Sequence, residues 1–235
     1  MLLSEIFEYL TFGELSHLSI GGIDAGTIDV GDYPRIIANV NLGMIELHKR
    51  FNLKVREVPL QLYDQITMYN LHTDYAESNT ESLQPIKYIT DGALVHPFSD
   101  DILLITHVYN EIGEELPLND LDEDYSVFTP TPITLQVPDS SNENALAIVY
   151  RAQPVKIPMD TADATSVEIE LPDQFTEALL AYVAWRIFAP LNVGERAEAN
   201  SYYAKFESAV ALIKDLGMLN IDNNANQKFG DNGWL

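Results

Sequence analysis

The sequence predicts an α+β protein: a helical bundle from an N-terminal helix and a C-terminal helical hairpin, with an inserted antiparallel β module. Three observations carry this. Apolar residues recur at helical spacing through the first 51 residues, the period shifts to two between about 54 and 171, and helical spacing then returns.

The first helix is signalled by Leu3, Ile6, Phe7 and Leu10 on one face, with Gly13 breaking the run. A glycine-rich stretch from Gly21 to Gly31 suits a loop. A second helix follows, with Asp32 as candidate N-cap, Pro34 in the first turn, and Ile37, Val40, Met44, Leu47 and Phe51 on one face. His48, Lys49 and Arg50 close it, where cations complement the helix dipole.

In the middle, Ile133, Leu135 and Val137 alternate with Thr134 and Gln136. Val167, Ile169 and Leu171 alternate with Ser166, Glu168 and Glu170. Ile102 to Tyr109 and Leu146 to Arg151 read as more deeply buried strands. Prolines such as Pro59, Pro130, Pro132 and Pro154 fit edges and turns of an antiparallel sheet. Thr73 to Gln84 and Asn110 to Tyr125 read as long exposed loops, a length that goes with function or mobility.

Pro172 opens a helix that is apolar on nearly every side, which predicts a central, buried position, and Pro190 ends it. The next helix, Glu195 to Leu216, carries Ala199, Tyr202, Phe206, Ala209, Ile213 and Leu216 at three- and four-residue spacing. Gly217 stands where a C′ glycine belongs. So short a connection predicts antiparallel packing.

The reading therefore divides the chain into 1–53 (N-terminal helices of the bundle), 54–170 (antiparallel β-rich module), 171–217 (helical hairpin) and 218–235 (extended arm). The arm is rich in Asn and Gly and lacks periodicity, so it cannot by itself bury enough apolar area to offset its ordering entropy. Two readings stay open: a frayed terminus, or an arm that orders on a partner through Phe229, Trp234 and Leu235, supported by Met218, Leu219 and Ile221.

Composition narrows the function. Apolar residues make up 46% of the 235, enough for a sizeable core. The absence of cysteine removes disulfides, thiolate metal sites and cysteine nucleophiles. Glu5 and Glu8 interrupt the opening apolar run where a signal peptide needs basic residues, and no stretch approaches the roughly 18 apolar residues of a membrane span. The expectation is a soluble, non-secreted protein with no membrane partner. Thirteen basic residues face 36 acidic ones, a net charge of −23, which argues against gripping a phosphate backbone. Such acidity either keeps an assembled protein soluble or lets DNA pass without sticking.

Catalytic chemistry finds little support. The histidines at 17, 48, 72, 96 and 107 lack the two-His helical spacing of a zinc protease. His72–Asp74 and His96–Asp101 are His–carboxylate groupings close in sequence. The run Asn119, Asp120, Asp122, Glu123, Asp124 lacks the central glycine and closing glutamate of a calcium loop. Gly21, Gly22 and Gly26 do not make a dinucleotide fingerprint, and no P-loop or nucleophile elbow is present. The expectation is no enzyme, no cofactor and no resident metal.

The stretch VEIELPDQFTEALLAYVAWRIFAPLNVGERAEANSYYAKFESAVALIKDLG resembles the head-to-tail adaptor (connector) proteins of short-tailed bacteriophages, the group that includes tail tubular protein A. The shared pattern is a strand ending in Leu171–Pro172, the helix Ala178 to Arg186, a break from Pro190 to Gly194, and a helix from Tyr202–Tyr203 through Lys214. The Asp32–Arg35 helix start and the segment LKVREVPLQLY are also similar to that group. The resemblance implies a structural virion protein at the neck, made in the host cytoplasm, forming a homo-oligomeric ring that is dodecameric in such phages. It also implies a portal protein and a tail nozzle as partners, a C-terminal segment reaching the portal, and DNA passing through the channel without specific binding. A head-closure or tail-nozzle component would share this composition. A carbohydrate-binding or hydrolytic β module would instead need the histidines and carboxylates around 72–74 and 96–107 to gather in one concavity.

Overall fold

A computed structural model describes residues 1–16, 28–138, 144–161, 163–190 and 196–217. The fold class is α+β, with helices and antiparallel sheets. The chain divides into two compact units, Leu53–Pro154 and the residues on either side of it.

The flanking unit holds helices α1 (Leu3–Phe12), α2 (Tyr33–Arg50), α3 (Thr176–Phe188) and α4 (Arg196–Asp215). Helix α1 buries Leu3, Ile6, Phe7 and Leu10, and the Glu5 carboxylate accepts from the Leu2 amide at 2.6 Å. Asp32 does not cap α2 with its side chain. The chain enters through a 3₁₀ turn, Val30–Asp32, which leaves Asp32 at φ −100°, ψ −1° instead of the extended conformation a capping side chain needs.

Helix α3 buries residues on all sides because it packs against both α2 and α4 and also meets α1. Its aromatic residues order α4 against it: Tyr182 meets Phe206, Trp185 meets Tyr203, and Phe188 meets Tyr202, with centroids 5.0 to 5.2 Å apart. The partners descend as the α3 residues ascend, so the two helices run antiparallel. Leu216, read as part of the apolar face, is 59% exposed and lies past the end of α4.

Val167 to Leu171 do not form a strand. They lie extended against the chain start, with the Leu3 amide on the Val167 carbonyl at 3.0 Å and the Ile169 amide on the Met1 carbonyl at 2.8 Å. The alternation is real, since Ile169 and Leu171 are buried while Glu168 and Glu170 face solvent, but its hydrogen-bond partner is the chain start and not a strand. The same return segment is clasped by Asn41, which both donates to and accepts from the Ile157 backbone at 2.9 Å.

The Leu53–Pro154 unit has two three-stranded antiparallel sheets. One orders β1 (Val55–Gln61), β6 (Ala145–Ala152) and β3 (Ile102–Asn110) with β6 central. The other orders β2 (Met68–Asn70), β5 (Thr134–Gln136) and β4 (Phe128–Thr131) with β5 central. Both contribute to one core, with Val58, Ile105 and Ile148 from the first and Tyr69 and Leu135 from the second. Pro59 and Pro130 sit on the edge strands β1 and β4, where a missing ladder donor is tolerated. Ile133, read as inward-facing, is 42% exposed because it and Pro132 make the β4–β5 turn.

Candidate interaction surfaces

Met218, Leu219, Ile221, Phe229, Trp234 and Leu235 lie outside the described residues. The structure does describe the point from which that segment departs. Gly217 adopts φ +59° and its amide bonds the Lys214 carbonyl at 3.0 Å, a left-handed C-terminal turn that only glycine takes without strain. Lys214 lies over the Phe51 ring at 5.6 Å, tying the end of α4 to the end of α2. Leu212 and Leu216 stay exposed at this end.

Two turns of α4 further back, Arg50 donates to both Glu207 oxygens and to Glu46, and its guanidinium covers the Phe206 ring at 4.8 Å. The Glu207 bond holds Arg50 still more firmly protonated, and Arg50 in turn lowers the Glu207 carboxyl below its ordinary range. On α1, an open groove of about 330 Å³ is lined by Phe7, Phe12, Ile28 and Tyr33 together with Glu8 and Asp163.

The two loops read as exposed are internally ordered. Asp91, fully buried, accepts from the Ser78 amide at 2.9 Å, the Ser78 hydroxyl at 2.6 Å and the Phe98 amide at 2.9 Å. Burial raises its pKa, but these bonds outweigh it and leave the carboxyl below its usual range. Lys87 staples the 73–84 loop by donating to the Asp74 and Asn79 carbonyls. In the second loop, Asn119 at φ +59° accepts from Thr129, and the Ser126 hydroxyl accepts from the Asp120 amide. Leu121 and Tyr125 nevertheless stand 89% and 67% exposed.

The structure gathers part of the His–carboxylate set. His72 lies 3.3 Å from Asp74 and 3.7 Å from Asp100, on a half-exposed turn where Asp100 is already accepting from the Thr73 amide and hydroxyl. His96 is exposed in a loop, and His107 faces Glu115 at 3.9 Å instead. Among the described residues no group of three or more His, Asp or Glu is arranged to hold a metal ion, and no helix is long and apolar enough to cross a membrane. Sequence reasoning passed over Arg151, whose Nε is buried without a hydrogen-bond partner among the described residues. The available signal was a single arginine in an otherwise apolar strand, ALAIVYRA.

These surfaces are exposed apolar and charged patches on an α+β scaffold. A family model described as SU10 adaptor protein matches residues 11–227, and the chain belongs to that family. It is thus a bacteriophage adaptor, a structural protein of the virion neck that associates with portal and tail proteins. No curated protein matches the chain.

Proposed function

We propose that copies of this chain close into a ring, the dodecamer of the head-to-tail adaptors it resembles, that joins portal to tail and surrounds the DNA channel. The family match across residues 11–227 carries this reading. The charge supports the channel: with a net −23, the ring has little with which to displace counterions from DNA, so the duplex slides past without specific binding. The Leu53–Pro154 unit alone has seventeen acidic side chains to four basic ones. In this reading the β-rich unit faces the tail nozzle and the helical ends meet neighbours and portal.

The arm 218–235 docks on the portal, with Phe229, Trp234 and Leu235 as anchors and Met218, Leu219 and Ile221 beside them. An order-on-binding segment spends part of its contact energy on ordering, so a few aromatic anchors must carry it. Met218, Leu219 and Ile221 fall inside the family match, and the three anchors lie beyond it.

Native mass spectrometry of the chain, alone and with the portal ring of its own phage, tests both parts. Stoichiometric addition of chains to the portal is expected, and loss of that addition on truncation after Gly217 while the circular dichroism spectrum is kept. A chain that ignores its portal but joins tail proteins is a nozzle component instead. A truncated chain that does not fold puts the tail in the core and ends the docking-arm reading.

A further inference from the structure

The β1–β6–β3 sheet has one face in the core and one turned outward. On the outward face Arg151 of β6 stands between Val55 of β1 and Leu104 of β3 in the ladder register. Val55 is 55% and Leu104 49% exposed. The next row, Glu57, Val149 and His107, adds one carboxylate and one imidazole, and neither lies within ion-pair distance of Arg151. The unit's other side chains of this sign are occupied where their partners are seen: Arg56 pairs with Asp101 at 3.0 Å, and Lys87 donates to two carbonyls. Among the described residues the Arg151 Nε is buried and has no acceptor, in a protein with 36 carboxylates. A buried N–H left without an acceptor is costly, and an incoming carboxylate between two apolar side chains relieves that cost.

The complementary surface lies on the same chain. The turn between Asn119 and Ser126 has its shape set by hydrogen bonds from Asp120, Asp122 and Thr129. It still holds Leu121 and Tyr125 out in solvent beside Asp122, Glu123 and Asp124. This turn runs directly into β4, whereas Arg151 lies on the outward face of the β1–β6–β3 sheet. Within one copy, none of the turn's carboxylates bonds the Arg151 Nε. Two different patches of one unit make a head-to-tail contact, which propagates and closes into a ring when the rotation allows.

We infer that the Arg151 face of one copy receives the Leu121–Tyr125 turn of the next. Leu121 packs between Val55 and Leu104, and a carboxylate from Asp122 to Asp124 pairs with the guanidinium. This contact rests on the ring reading above and names the surfaces that would build it.

The chain has no cysteine, so introduced thiols report alone. The test is the full-length double variant Leu104→Cys/Leu121→Cys, both at exposed positions, oxidised at high concentration and run on a non-reducing gel. A ladder of dimer, trimer and higher species is expected, with each single variant stopping at dimer. Arg151→Glu in the double variant should reduce the ladder at least tenfold, and Arg151→Gln should reduce it less. Near-ultraviolet circular dichroism checks that both stay folded. The absence of a ladder, or one indifferent to Arg151→Glu, overturns the contact. Native mass spectrometry of the unmodified chain separates the causes. Higher oligomers without a ladder sink this contact alone, whereas a chain that stays monomeric even on its portal sinks the ring as well.

Discussion

Arg50 at the end of α2 grips Glu207 in the middle of α4 with two bonds of 2.8 and 2.9 Å. The two residues are 157 positions apart, so this fork closes the helical unit across the whole inserted module. Glu207 is partly exposed, which limits the value of the charge pair itself. Glu207→Gln is therefore expected to cost about 0.5–1 kcal/mol. Arg50→Ala loses more, about 2 kcal/mol, because the guanidinium and its stem also cover Phe206 and hold Glu46. Urea denaturation of both variants checks the order. Equal losses would mean that the carboxylate, not the coverage of Phe206, is what Arg50 contributes.

Gly43 lies where α2 approaches α3 closely. A Cβ there would stand 2.6 Å from Leu179 Cδ1 and 3.1 Å from Tyr182 Cδ1. Alanine would gain about 1 kcal/mol in helix propensity. Leu179 is fully buried, so its methyl shifts only against packed neighbours, and overpacking costs about 1–3 kcal/mol. The net expectation is a loss of about 1 kcal/mol for Gly43→Ala and about 3 kcal/mol for Gly43→Val. A Gly43→Ala protein with a higher melting temperature than wild type would show that the helices do not meet this tightly.

How much could be read beforehand follows from what each pattern reports. Helical spacing names both the element and its buried side, so α1 through α4 were legible within a few residues. Alternation reports only that one side is covered. At Ile102–Asn110 the cover is a sheet and at Val167–Leu171 it is the chain start, and the residues alone do not distinguish the two. Strands β2 and β4 have three and four residues, too few to show a period. Of the proposed docking surfaces, the arm's aromatics were visible in the sequence and lie outside the described residues. The Arg151 face needed the register that sets Val55 and Leu104 on either side of it.

The turn at Gly217 makes a prediction free of packing effects. No described residue lies within 4 Å of the position a Cβ would occupy, so among the described residues a substitution there meets only the backbone cost of φ +59°. Gly217→Ala should destabilise the end of α4 by about 1 kcal/mol, and Gly217→Asn by less, since asparagine tolerates the left-handed region. Amide exchange at Leu212 to Leu216 reads this locally. Unchanged protection in the alanine variant would mean that α4 ends without that turn.

Asp91 gives a prediction with a pH signature. Its carboxylate closes the loop from Ser78 to Phe98 with three hydrogen bonds, and Asn at this position cannot accept all of them. Asp91→Asn should cost about 2–3 kcal/mol at neutral pH, the scale for buried donors losing a charged acceptor. The folded pKa lies below the ordinary value, so the ionised carboxyl stabilises the fold fully above about pH 4, the usual aspartate range. That contribution is lost as the pH falls through the lower folded value. The gap between wild type and Asp91→Asn, from urea melts, should thus be flat from about pH 5 to 8 and narrow below about pH 4. A gap that holds constant into strong acid would show that the ionised form is not what the Ser78 and Phe98 amides bind.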